Sequence, residues 1–283
     1  MRNMPNISIL ILMVFLALLS AGCSQKKKPL ITSKYDLEIP ASAPPADDWW
    51  RPALGLTWQW QLTGKFDFDV IADVYDIDLH VHESAVEHFH SQGAKVICYI
   101  SVGSFENWRK DADQFPSEVL GKKYQGWSGE RWLDIRRIDL LAPIMQARFD
   151  MCAAKGFDAI EPDNIEIYTN DTGFPLTYED QLRFAIWLAN EAHARGLAIG
   201  LKNAPDQAKD LVDLFDFAIT EDCFYHGWCE QMAPFIQAGK PVFAAEYTDL
   251  GGDFAEFCRL SGQLGFSTIL KHRNLNSWIE TCP

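Results

Sequence analysis

The chain has 283 residues, 48% of them hydrophobic, which is enough to bury a sizeable core and excludes a disordered protein. Its formal net charge of −14 excludes nucleic acid as a partner, since that needs basic patches, and suits a cationic ligand. Ten tryptophans are more than a core alone asks for and fit a cleft that stacks on flat ligands.

Taken in chain order, residues 1–23 read as an export segment. Arg2 opens it, an apolar run follows from Ile7 to Leu19, and Leu19-Ser20-Ala21-Gly22 precede Cys23. The run Leu-Ser-Ala-Gly-Cys resembles a bacterial lipobox, with Ser20 where leucine is usual. That implies lipidation of Cys23 and an extracytoplasmic protein whose membrane contact is that lipid. Residues 24–48 carry Lys26-Lys27-Lys28 and Pro40-Ala41-Ser42-Ala43-Pro44-Pro45 and read as an extended, poorly packed tether. Residues 49–283 are left as one domain, expected to be monomeric. Six cysteines after Cys23 suit disulfides in an oxidising compartment. Cys223 and Cys229 are spaced to staple one loop, whereas Cys98, Cys152, Cys258 and Cys282 either pair or stay as buried thiols.

Strand-like runs then recur at Gly55–Gln61, Val70–Ile77, Lys95–Val102, Ala159–Pro162, Ala198–Asn203, Phe217–Glu221, Pro241–Tyr247 and Thr268–His272. Helical periodicity lies between them at Glu83–Gln92, Leu140–Ala154, Tyr178–Ala194, Ala204–Leu214, Gln231–Ala238 and Asp253–Leu264. Glycines 93, 156, 196, 239 and 265 follow helices, as left-handed C-caps do. Eight strands alternating with helices predict a (β/α)8 TIM barrel. An open doubly wound sheet is the alternative, but no glycine-rich dinucleotide or phosphate loop follows the first strand. No cofactor is expected.

In such a barrel the strand ends meet at one mouth, where catalysis sits. The stretch Gly156 to Asn164 organises it: an apolar strand core, Ala159-Ile160, runs into Glu161, Pro162, Asp163 and Asn164. A later strand ends likewise in Glu221-Asp222. Asp163 and Glu221 are read as facing across a sugar, with Glu161 and Asp222 as the competing choices, one of each couple pointing inward. Trp58, Trp60, Asp76, Asp78, Tyr99, Ser101, Gly103, Glu246, Tyr247 and Lys271 share the mouth, with Lys202, Asn203 and Asn164 orienting ligand. The segment Ser104–Asp139 reads as a long functional loop carrying Phe105, Trp108, Trp127 and Trp132. His80 and His82 begin like a metal ligand set, but the middle strands end in Asp163 and Lys202 rather than histidine, so no metal is expected.

With these residues assembled, the chain from about Trp50 to Cys282 resembles glycoside hydrolase family 114, the endo-α-1,4-polygalactosaminidase-like barrels. The resemblance rests on Thr57-Trp58-Gln59-Trp60-Gln61-Leu62, Val74-Tyr75-Asp76-Ile77-Asp78, the run Cys98 to Arg109, and Gly129-Glu130-Arg131-Trp132-Leu133-Asp134-Ile135-Arg136. It continues through Glu161-Pro162-Asp163-Asn164, Gly200-Leu201-Lys202-Asn203, Thr220-Glu221-Asp222-Cys223 and Lys271-His272-Arg273-Asn274-Leu275. It departs at Asp222, where the family often has glutamine, and at Glu166, where it commonly has aspartate.

The resemblance implies cleavage inside α-1,4-linked galactosamine chains, with Asp163 as nucleophile and Glu221 as general acid/base. The cationic aminosugar polysaccharide then gives the acidic mouth a reason. Asp76, Asp78 and Glu246 become counter-ions for its amines, and Trp60, Tyr99 and Tyr247 stack on its sugar faces. Two competing expectations are a lipoprotein that binds an aminosugar without cutting it and a metal-dependent amidohydrolase or deacetylase.

Overall fold

A computed structural model describes residues 37–283, so the export segment, Cys23 and the tether up to residue 36 lie outside the described residues. In chain order the first strands are β1 (Trp58–Gln61), β2 (Val74–Asp78), β3 (Lys95–Ser101), β4 (Ser104–Glu106), β5 (Leu120–Lys123) and β6 (Glu130–Leu133). The rest are β7 (Ala159–Asp163), β8 (Ala198–Lys202), β9 (Phe217–Glu221), β10 (Val242–Tyr247), β11 (Ser267–Lys271) and β12 (Ile279–Thr281). The helices are α1 (Glu83–Ser91), α2 (Ile138–Ala154), α3 (Tyr178–Ala194), α4 (Ala208–Leu211), α5 (Cys223–His226), α6 (Ala233–Gln237) and α7 (Phe254–Leu264).

Eight strands run parallel in the order β1-β2-β3-β7-β8-β9-β10-β11, with β12 antiparallel on the free edge of β11. This is a (β/α)8 barrel, as the sequence predicts. Alternation along each strand splits the core in two. One set (Val96, Cys98, Ile160, Ile199, Ala218) packs outward on the helices. The other (Trp58, Trp60, Ile97, Ala159, Phe217, Phe243) fills the lumen. The seam between first and last strand is tied by side chains: Trp58 Nε1 donates to Ser267 O at 3.0 Å, and Lys271 Nζ donates to Gln59 Oε1 at 2.6 Å.

The helix ends follow ordinary local chemistry. Thr177 and Asp180 form a reciprocal capping box at the start of α3. Gly265, at φ 75°, ends α7 by donating its N–H to Ser261 O.

Three expectations change. The tether's described end is packed rather than loose: Leu37 and Ile39 lie on the core, Glu38 O accepts from Arg183, and Ala46 N donates to His193 O. The helix expected over Ala204–Leu214 shrinks to a 3-10 turn and the four residues of α4, because Ala204 is left-handed at φ 51° and Pro205 follows it. The segment Ser104–Asp139 is no open loop. Its strands β4, β5 and β6 form an antiparallel sheet in the order β4-β6-β5, with Val119, Trp132 and Leu133 buried in the core.

Candidate active site

Three neighbouring strands end alike. Asp163, Lys202 and Glu221 close β7, β8 and β9, and each is followed by a non-glycine residue in the left-handed region: Asn164 (φ 60°), Asn203 (φ 50°) and Asp222 (φ 52°). Asn and Asp are the side chains that tolerate this conformation best. Strained backbone repeated at successive strand ends marks a site where geometry has been given precedence over local comfort. Gly103 belongs to the same device. A Cβ there would lie 1.7 Å from Asn164 O, so only glycine lets the turn after β3 settle against Asn164.

The side chains converge on one ammonium. Lys202 Nζ, almost wholly buried, lies 2.8 Å from Glu161 Oε1, 2.7 Å from Asp163 Oδ1 and 3.1 Å from Glu221 Oε2. The Trp60 ring backs it at 4.6 Å. Burial pulls the lysine's pKa down, but the three carboxylates push it well above the ordinary value, so it stays charged. Asp163 Oδ2 accepts from Tyr99 Oη at 2.8 Å and from Asn164 Nδ2 at 3.1 Å. Glu221 Oε1 accepts from Tyr247 Oη at 2.5 Å, and the Asn203 side chain holds the Glu221 N–H at 2.9 Å.

Glu161 and Asp163 are two residues apart, so both point into the barrel, Glu161 one storey lower. This corrects the expectation that one of the couple turns away. Asp222 does point elsewhere: it accepts from Tyr247 N and from Arg273 Nη1 at 2.8 Å, which meets the charge its substitution adds.

A cavity of about 450 Å³ opens over this cluster, with Trp60, Tyr99, Asp163, Lys202, Glu221 and Tyr247 at its base. Trp108, Tyr124, Trp127 and Glu130 line it from the β4-β6-β5 insertion. A second hollow of about 180 Å³, with Glu166 and Asn203 in its wall, shares Tyr124, Asp163, Asn164, Lys202 and Glu221 with the first. Asp163 and Glu221 therefore stand where two hollows meet.

Several expected members of the mouth are elsewhere. Asp76 is fully buried in the lumen and lines neither hollow. Burial first, then the Glu161 charge beside it, push its carboxyl well above the ordinary range. Glu246 faces the helices instead, accepting from the N–H groups of Phe224 and Tyr225 at the start of α5. Lys271 is buried at the barrel seam on Gln59 and Asn276 O. Trp58 is sealed within the lumen. Asp78 does reach the cavity, but Arg109 grips both its oxygens at 2.9 and 2.7 Å. Tyr247 lies under Arg273, 3.8 Å from the ring centre, so that face is closed to a sugar. Trp108 and Trp127 are the half-exposed rings of the cavity.

Residues that strand-end reasoning missed come from the insertion: Glu106 and Arg109, paired at 2.7 Å, and Glu130. Cys223–Cys229 is a disulfide, and Cys98–Cys152 and Cys258–Cys282 are two more. His82 caps α1, His90 pairs with Asp158 and His193 with Asp216, so these histidines hold the fold.

The sequence matches glycoside hydrolase family GH114 over residues 40–283. Among solved structures it is similar to Aspergillus fumigatus Ega3 in complex with galactosamine, at 40% identity and a TM-score of 0.79, covering 84% of this chain and 99% of that one. The glycoside hydrolase domain of PelA from Pseudomonas aeruginosa shares the fold at 12% identity and a TM-score of 0.63, over 80% of this chain and 99% of that domain. An uncharacterized protein of Deinococcus radiodurans is 25% identical over 308 residues, 94% of this chain and 97% of its own length.

Proposed function

The chain belongs to glycoside hydrolase family GH114, and from that premise we propose that it cleaves internal α-1,4 bonds of a galactosamine-containing polysaccharide, with Asp163 and Glu221 as the catalytic pair. One observation carries the proposal: two carboxylates share one buried ammonium at the junction of two hollows. Two hollows that share the pair suit sugars bound on both sides of the broken bond, as attack inside a chain requires. Trp108 and Trp127 on the rim suit stacking of further sugar rings. The substrate class draws on Ega3, which is 40% identical and was solved with galactosamine.

We read the pair as one that retains configuration. The Asp163 and Glu221 oxygens on Lys202 are no further apart than its 2.7 and 3.1 Å contacts laid end to end. That bound on the nearest oxygens is compatible with the roughly 5–5.5 Å between carboxyl groups of a retaining pair. In this reading Asp163, hydrogen-bonded by Lys202, Tyr99 and Asn164, attacks the anomeric carbon, and Glu221 protonates the departing glycosidic oxygen. Once Asp163 is esterified its charge is gone. Glu221, a carboxylate once it has given up its proton, lies beside Lys202 and takes a proton from the incoming water.

Glu161 holds the underside of Lys202. The proposal includes an extracytoplasmic location with a lipid anchor at Cys23, which rests on the sequence of residues 1–23. The test is incubation with partially de-acetylated α-1,4-galactosaminogalactan and mass analysis of the products. A ladder of oligomers supports internal cleavage. Monosaccharide alone, or an unchanged polymer, opposes it.

A further inference from the structure

Five carboxylates line the larger hollow, and four already have a cation. Arg109 holds Asp78 at 2.7 Å and Glu106 at 2.7 Å, while Lys202 holds Asp163 at 2.7 Å and Glu221 at 3.1 Å. Glu130 is the exception among the described residues: its Oε2 accepts from Ser104 Oγ at 2.6 Å, and no lysine or arginine pairs with it. It is 7% exposed and nevertheless borders the hollow. An unpaired carboxylate at such a depth is unfavourable unless something arrives to neutralise it.

Its position says what should arrive. Ser104 Oγ, which donates to Glu130, also accepts from Asn164 Nδ2 at 3.3 Å, and the same Nδ2 donates to Asp163 Oδ2 at 3.1 Å. Glu130 is thus two side chains away from the proposed nucleophile. In a 2-amino sugar the nitrogen sits on the carbon next to the one attacked, so a sugar poised over Asp163 carries its amine close to that atom.

We propose that Glu130 is the specificity-determining residue that receives the C2 ammonium of the sugar attacked by Asp163, selecting free amine over N-acetyl. This rests on the galactosamine reading above and replaces Asp76, Asp78 and Glu246 as the amine's counter-ion. Burial, the largest influence, raises the Glu130 carboxyl to about 7 in the empty hollow. A bound ammonium lowers it again and fixes the pair as ions. The acetamide of an N-acetyl sugar is neutral and leaves the carboxylate unpaired.

The experiment compares kcat/KM on fully de-acetylated and fully N-acetylated α-1,4-galactosamine oligomers. The ratio for Glu130→Gln is expected to fall at least about tenfold from that of the unaltered protein, with Glu130→Asp in between. A ratio unchanged within about twofold overturns the assignment. Should Glu130→Gln not fold, calorimetry on the unaltered chain decides: galactosamine must bind at least about tenfold more tightly than galactose, and equal affinities overturn the assignment. If the unaltered chain degrades no galactosamine polymer yet keeps this order of affinities, the hydrolytic reading fails and the amine site stands.

Discussion

Asp163 and Glu221 hold one ammonium between them: Lys202 Nζ is 2.7 Å from the first and 3.1 Å from the second. The arrangement makes the proposed nucleophile and the proposed acid electrostatically dependent on a single cation. Replacing Lys202 with methionine leaves Glu161, Asp163 and Glu221 crowded without it. We expect a loss of about 3–5 kcal/mol in stability by chemical denaturation. We also expect kcat to fall at least about a hundredfold. The acid limb of the pH–rate profile should move to higher pH, since loss of the cation favours neutral carboxyls.

Glu221 is more open than Asp163, with side-chain exposures of 27% and 16%, as suits its proposed role of reaching a departing oxygen and then a water. Glu221→Gln should lower kcat on polymer by about 10²–10⁴. Nitrophenyl glycosides, which leave without a proton, should lose far less in the first step. Azide should restore turnover of the variant by replacing the activated water. Equal losses on both substrates would remove Glu221 from the acid role.

Much of this was legible in the sequence, for a physical reason. Short apolar strands ended by glycine-capped helices have few alternatives to a barrel, and the eight strands fall where their hydrophobic runs predict. Asp163, Lys202 and Glu221 were legible because each ends such a run. Height in the lumen was harder. Alternation puts Asp76 inside, but its place two residues below the end of β2 buries it, while Glu246 falls on the outward phase of β10. Arg109 and Glu130 were hidden because the β4-β6-β5 insertion bends back over the mouth, a long-range packing that periodicity does not encode.

The disulfides test the fold apart from the chemistry. Cys98–Cys152 ties β3 to α2 across 54 residues, and Cys258–Cys282 ties α7 to the chain end across 24. Chain-entropy arguments give each about 3–4 kcal/mol. Removing either pair by serine substitution should lower thermal stability by roughly 2–4 °C for each kcal/mol lost. Activity at 25 °C should persist in whatever fraction stays folded, because neither pair lines the hollows.

Stability should fall as pH rises from about 5 to about 7. Glu130, Glu161 and Glu246 are each raised to about 7, burial being the largest cause. A carboxyl whose folded pKa lies above its unfolded value binds more protons when folded. Its contribution is complete below the unfolded pKa and is lost as pH climbs through about 7. His80 and Lys271, each held below its ordinary value by desolvation, work the other way, Lys271 only from about pH 7 upward. Thermal unfolding at pH 5 and pH 7 checks the sign, and Glu246→Gln should flatten the slope without touching the hollows.

The central claim, a retaining pair with Asp163 as nucleophile, is tested most directly by trapping the covalent intermediate. A 5-fluoro-galactosaminyl fluoride should form its ester quickly and lose it slowly. Intact-protein mass should then rise by one sugar, with peptide mapping placing it on Asp163 and no adduct on Asp163→Asn. Full turnover of polymer with no adduct, or an adduct on another carboxylate, would contradict the account.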